Sequence, residues 1–331
     1  MFEALLKSRD WLLADGATGT TLFAMGLTSG EAPELWNAEH PDRIRRLHQD
    51  FVEAGADIIL TNSFGGTSRR LMLHDAHTRV HGLNKLAGEH ARAVADAAER
   101  PIVVAGSVGP TGDLFAPLGA LTEAEAVEVF VEQMEGLRDG GVDVIWIETM
   151  SALEEMRAAA FAASRIGLPY VVTASFDTAG RTMMGLTPGD MARQTTGFAP
   201  APHGIGCNCG VGASDLLVSV LGITEATPDA VVVAKANCGI PQVRGGSIDY
   251  TGTPELMADY ARLACDSGAK IIGGCCGTTA THLLAMRRSL EGYKRGARPD
   301  TETLVQRLGA LASPPARDGA VPRVNRRRQG V

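Results

Sequence analysis

The chain has 331 residues, a formal net charge of -7 at neutral pH and 45% hydrophobic residues. That length suits one α/β barrel with a sizeable core, and the acidic balance offers no basic face for nucleic acid. The apolar stretches are of strand length and end in Gly, Asn or Cys, which excludes a membrane span, and Glu3, Lys7, Arg9 and Asp10 leave no apolar signal segment at the N-terminus, so a cytoplasmic setting is expected.

In chain order, one unit recurs: an amphipathic helical pattern, a glycine, then a β-branched run that stops at a polar or reactive residue. Residues 44–54 lead through Gly55 into Asp57-Ile58-Ile59-Leu60-Thr61-Asn62, and 124–139 lead through Gly140-Gly141 into Val144-Ile145-Trp146-Ile147-Glu148. Residues 254–267 lead through Gly268 into Lys270-Ile271-Ile272-Gly273-Gly274. Glycine after a periodic segment is a helix stop, and such runs suit strands buried on both faces. Eight strands are predicted, ending near Asp15, Asn62, Ser107, Glu148, Ser175, Cys209, Asn237 and Cys276. The helices before the sixth strand and after it, at 190–198 and 215–221, are short or interrupted by Gly and Thr. The pattern predicts a single-domain (β/α)8 TIM barrel over residues 1–295, with chemistry on the loops at the carboxyl ends of the strands. A doubly wound open sheet is the runner-up, but no glycine-rich dinucleotide or phosphate loop follows the first strand. Residues 296–331 lose apolar periodicity, become Pro-, Gly- and Arg-rich and end in Arg326-Arg327-Arg328, which predicts a flexible basic tail.

Reactive side chains gather at those strand ends. Asp15-Gly16 closes the first strand and Glu148 the fourth, and an unpaired charge on so apolar a strand is costly. Together Asp15 and Glu148 can hold an ammonium group while the Gly16 amide meets a carboxylate, a clamp for an amino acid. Cys207 and Cys209 share parity on the sixth strand, Cys209 lying about 6 to 7 Å nearer the mouth. Cys275 and Cys276 follow Gly273-Gly274. Thiolates are soft ligands, and Cys209 with Cys275 and Cys276 can converge on one metal ion; Cys238 is a rival ligand, and Cys265 sits in a helical pattern as packing. His74, His77 and His81 align at helical spacing but lack a second segment to complete a metal shell. Lys235, a candidate for a barrel lyase or aldolase, lies two residues short of the mouth.

With these motifs in order, Asp15-Gly16, Gly206-Cys207-Asn208-Cys209 and Gly273-Gly274-Cys275-Cys276-Gly277, the chain resembles the zinc-dependent homocysteine S-methyltransferase family over about residues 10–290. Segments such as Pro33-Glu34-Leu35-Trp36-Asn37, Gly55 to Phe64 and Gly106-Ser107-Val108-Gly109-Pro110 are similar to bacterial betaine-homocysteine S-methyltransferases. The resemblance implies a (β/α)8 barrel with Zn²⁺ on Cys209, Cys275 and Cys276. It implies homocysteine contacts at Asp15, Gly16, Glu148 and Thr61, with Trp36 against the methyl donor; Asn237, ending the seventh strand, is counted with these substrate-facing positions. Where the animal betaine enzymes place tyrosines this chain has Gly65 and Thr149, so an aromatic cage for a quaternary ammonium would fall to Phe64, Phe115, Phe176 or Tyr250.

The expected reaction is zinc-dependent methyl transfer from glycine betaine to the homocysteine thiol, giving methionine and dimethylglycine. S-methylmethionine, dimethylsulfoniopropionate and a methylcorrinoid protein are alternative donors. A non-catalytic zinc barrel that binds or senses homocysteine is the alternative of another class. The partners expected are small molecules. Homo-oligomer formation stays open, because the C-terminal extension with which the animal enzymes assemble is not recognisable.

Overall fold

The computed structural model describes residues 1–239, 241–244 and 247–312, and for 241–244 and 247–249 only the backbone. Eight parallel strands form the barrel: β1 (Leu12–Leu13), β2 (Ile58–Leu60), β3 (Val103–Val108), β4 (Val144–Met150), β5 (Tyr170–Ala174), β6 (Gly204–Cys209), β7 (Val232–Ala236) and, after an antiparallel hairpin of β8 (Pro241–Arg244) and β9 (Ser247–Tyr250), β10 (Ile271–Gly274). Neighbours pair in the order β1-β10-β7-β6-β5-β4-β3-β2. The ring closes where the Asp57 amide donates to Leu13 O at 2.7 Å and the Asp15 amide to Ile58 O at 3.0 Å. All eight expected strands are present, and the barrel, not the open sheet, is the architecture.

Strand parity divides the core in two. Ile58, Leu60, Val103, Ala105, Val144, Trp146, Val171, Val233 and Ile271 fill the barrel interior, and Phe2 and Leu6 of the N-terminal helix Phe2–Ser8 join them. Their alternate neighbours, among them Ile59, Val104, Ile145, Val172 and Ile272, face the surrounding helices. Burial on both faces is why the strands read as continuous apolar runs. The helices doubtful in the sequence are regular. One spans Pro188–Thr196, with Pro188 in its first turn and the Thr187 hydroxyl accepting from the Asp190 amide at 3.1 Å. The other spans Ala213–Ala226. No helix among the described residues is long and apolar enough to cross a membrane.

The expected flexible tail is corrected over its first part. Asp300 caps a helix, Thr301–Leu308, that buries Leu304 and Leu308, and Arg307 pairs with Asp259. The Ser214 hydroxyl donates to Gly309 O at 2.7 Å, so the chain is docked on the barrel to residue 312. Two leucines are too few for a periodic signal, yet enough for one amphipathic face. Residues 313–331, with Arg326, Arg327 and Arg328, lie outside the described residues.

Candidate active site

Inward parity on β7 places Val233 and then Lys235 inside the barrel. Lys235 is buried beside Trp146, its Nζ 6.0 Å from the ring centroid and 2.6 Å from Asp15 Oδ1. The other Asp15 oxygen accepts from the Leu60 amide at 2.7 Å. Burial opposes the ammonium charge, but the Asp15 and Glu148 carboxylates outweigh it and raise the Lys235 pKa above the usual lysine value. Lys235 is therefore a fixed cation, not the free amine an aldolase would need. Glu148, inward on β4, accepts from the Ser107 hydroxyl at 2.5 Å, and burial pushes its carboxyl up to about 7 against the opposing pull of Lys235.

Above this floor the three cysteines meet. The sulfurs of Cys209, Cys275 and Cys276 all lie within 4.8 Å of one another. Three thiolates bound at about 2.3 Å around one tetrahedral zinc require separations of about 4 Å, so this all-sulfur donor set fits a soft divalent ion. Within the cluster Cys275 and Cys276 donate hydrogen bonds that stabilise a Cys209 thiolate and hold its pKa well below the ordinary thiol value. The Tyr250 hydroxyl also reaches Cys276.

The shared parity of Cys207 and Cys209 does not survive. Cys207 faces outward, its thiol 3.7 Å from Leu216 O among helix side chains. Cys209 has φ +63°, a left-handed conformation that turns its sulfur toward the mouth. Cys238 is buried and outside the sulfur cluster; its amide donates to Cys276 O at 2.9 Å. Cys265 is buried in the helix Pro254–Asp266, as expected.

Two asparagines position the cysteines. The Asn237 side chain donates to Gly210 O at 2.7 Å and accepts from the Cys276 amide at 3.0 Å, tying the loop after β6 to the loop after β10. Asn208 accepts from the Thr149 amide at 2.9 Å and from the Thr173 hydroxyl at 2.7 Å, and donates to the Thr149 hydroxyl at 2.7 Å. Thr149 has φ +61°, rare for a β-branched residue, and these bonds hold it there.

A cavity of about 590 Å³ opens over this floor. Gly16, Thr61, Glu148 and all three cysteines line it, whereas Asp15, Trp36 and Asn237 do not. Asp15 sits behind Lys235 with both oxygens engaged, so the ammonium clamp reduces to Glu148. The Gly16 position must be glycine, because an added Cβ would stand 2.4 Å from Thr278 O. The Thr61 hydroxyl accepts from the Ser107 amide at 3.0 Å and bonds Ser63 Oγ at 2.6 Å, which in turn donates to Ser107 O. Its proton is thus committed to the loop. Trp36 is buried in the outer core, between His40 and the Arg43 guanidinium 4.8 Å from its ring. Of the four candidate cage aromatics, Phe64 lines the cavity. His74, His77 and His81 do not share a helix: Asp75 turns left-handed after His74, and His77 lies in the 3-10 turn His77–Arg79 ahead of the helix Val80–Ala97 that holds His81; His74 lines the cavity, and His81 bonds Asp139 at 3.0 Å.

A profile of the homocysteine S-methyltransferase family matches residues 12–290, and the chain belongs to that family. It is similar to the homocysteine methyltransferase MmuM of Escherichia coli. The metallated form is 25% identical with a TM-score of 0.73, covering 87% of this chain and 99% of that one. The oxidized form is 26% identical with a TM-score of 0.70, covering 87% and 98%. Methionine synthase of Mycobacterium tuberculosis is 29% identical over 304 residues, 87% of this chain, and the chain spans 25% of that protein's length.

Proposed function

We propose that this protein transfers a methyl group from a small onium donor, glycine betaine in the first place, to the thiol of homocysteine, with Zn²⁺ on Cys209, Cys275 and Cys276. The observation that carries the reading is the convergence of three sulfurs at the floor of a cavity that also exposes Glu148 and the Gly16 backbone. Bound zinc would supply the Lewis acidity that lowers the substrate thiol pKa and keeps its sulfur a thiolate. Glu148 takes the substrate ammonium and the Gly16 amide its carboxylate, while Asn208 and Asn237 hold the cysteine loops. In transfer, the thiolate sulfur bonds the methyl carbon, and the bond from that carbon to the onium atom breaks with its electron pair on nitrogen. Betaine then leaves as dimethylglycine with a neutral amine at the reacting nitrogen, so no residue has to donate a proton. The rate rests on positioning. Six free thiols suit a reducing, cytoplasmic setting.

The test is methionine formation by the zinc-loaded protein from homocysteine and, separately, glycine betaine, S-methylmethionine, dimethylsulfoniopropionate and a methylcorrinoid. Methionine with betaine is the expected result. Turnover with none of the four would overturn the reading in favour of a homocysteine-binding zinc barrel.

A further inference from the structure

Among the charged residues that line the cavity beyond the cysteines are Glu34 and Arg70, opposite in sign and both at least partly buried, and neither has an ion-pair partner within 4.0 Å among the described residues. Glu34, in the 3-10 turn Pro33–Leu35, is 5% exposed; its Oε1 accepts from the Gly65 amide at 2.6 Å against the bare face of that glycine. Arg70, in the short helix Ser68–Leu71, is half-buried, and its guanidinium lies over Gly112, where a Cβ would stand 3.2 Å from Nη1. Burial raises the Glu34 carboxyl pKa, and the Gly65 amide and the nearby Arg70 guanidinium pull against that rise. Between the two residues in the chain, Phe64 adds an aromatic ring packed on Gly109. Leaving both charges partly buried and unpaired is costly, and a ligand bearing both charges would relieve the cost.

We infer that this part of the cavity selects the methyl donor as a zwitterion, the Glu34 carboxylate and Phe64 ring meeting its onium group and the Arg70 guanidinium its carboxylate. The inference rests on the methyl-transfer reading and deepens it: the donor is a small onium carboxylate, not a methylated protein cofactor. It also gives the two residues different duties. The donor loses its positive charge at the onium atom during transfer, so Glu34 binds the donor more tightly than the product and favours product release. An interaction weakened on the way to the transition state governs KM more than kcat. Arg70 contacts a carboxylate that does not change, and it too acts through KM.

Equilibrium binding to the zinc-loaded protein without homocysteine, so that no methyl acceptor is present, separates the charges. The probes are glycine betaine, choline, which lacks the carboxylate, and 3,3-dimethylbutanoate, in which a neutral carbon replaces the onium nitrogen. Arg70→Ala should weaken betaine and 3,3-dimethylbutanoate about 10- to 100-fold, the scale of one charge-assisted hydrogen bond, and leave choline unchanged. Glu34→Gln, which keeps an oxygen for the Gly65 amide, should weaken betaine and choline but not 3,3-dimethylbutanoate. Arg70→Lys should restore part of the loss, and unchanged zinc content and homocysteine affinity should show the variants folded. Equal loss for all three probes in either variant, or no betaine binding by the wild type, overturns the inference. Selective binding without methionine formation overturns the methyl-transfer reading and leaves the zwitterion site standing. Methionine formation with an unchanged donor KM in Arg70→Ala does the reverse.

Discussion

Lys235 Nζ lies 2.6 Å from Asp15 Oδ1, joining β7 to the end of β1 beneath the cavity, with both side chains at most 2% exposed. A pair so deeply buried is held by mutual attraction and hydrogen bonds against a large desolvation cost, and removing one partner strands the other. Lys235→Met should therefore cost about 3 to 5 kcal/mol in urea unfolding. The double variant Lys235→Met/Asp15→Asn should recover much of that loss, because no charge is left unpaired. A double variant no more stable than Lys235→Met would show that packing against Trp146, not the ion pair, holds the lysine.

Cysteine substitutions distinguish the sulfur cluster from its bystanders. Cys209→Ala, Cys275→Ala and Cys276→Ala should lose stoichiometric zinc by metal analysis after dialysis, since three thiols with mutual spacings within 4.8 Å leave no spare ligand. Cys207→Ala and Cys238→Ala should keep it, because one thiol points into helix packing and the other lies outside the cluster. Zinc loss in Cys238→Ala alone would reassign the third ligand.

The asparagine strap makes a subtler prediction. Asn237→Ala keeps all three thiols yet removes the bonds to Gly210 and Cys276 that hold their loops together. Losing a group that orients ligands typically costs about 10- to 100-fold in metal affinity, and a competition titration with a chromophoric chelator should find a loss of that size. An unchanged affinity would mean that the loops are held by their backbone alone.

How much of this was legible in the sequence follows from where each signal comes from. The strands were legible because burial on both faces forces apolar runs, and each run stops where the mouth begins, at Glu148 or Cys209. The cysteine cluster was legible by type, but its geometry was not. Parity placed Cys207 and Cys209 on one side, and the left-handed backbone at Cys209, which no spacing rule anticipates, separates them. The family resemblance puts Trp36 against the donor, and the end of the seventh strand puts Asn237 among the substrate-facing positions; Trp36 is packed in the core and Asn237 straps two loops together. Lys235 did carry a signal, a cation inside the run Val231-Val232-Val233-Ala234-Lys235-Ala236, but a charge there points equally to a nucleophile or to a buried ion pair. Its partner became visible only once the fold set β1 and β7 on either side of β10. The helix Thr301–Leu308 was missed because its two buried leucines lie in an otherwise polar, Arg-rich stretch.

Glu148 makes the site sensitive to pH, and the sign follows from burial. Its folded pKa of about 7 exceeds the 4.5 of an exposed glutamate. Between these values the folded state binds more protons than the unfolded state, so the stability Glu148 contributes is fully present below 4.5 and is lost as pH rises through about 7. Glu148→Gln removes that dependence, and the variant should gain stability relative to the wild type over this window. Ligand binding runs the other way, because an ammonium group needs the ionised carboxylate. Methionine is the suitable probe: it carries the ammonium and carboxylate of homocysteine but no thiol to release a proton. Its affinity for the wild type should rise as pH is raised from 5 to 8 and level off above the Glu148 pKa, while Glu148→Gln should bind weakly at every pH with no such rise. Parallel pH profiles in the two proteins would remove Glu148 from the ammonium site.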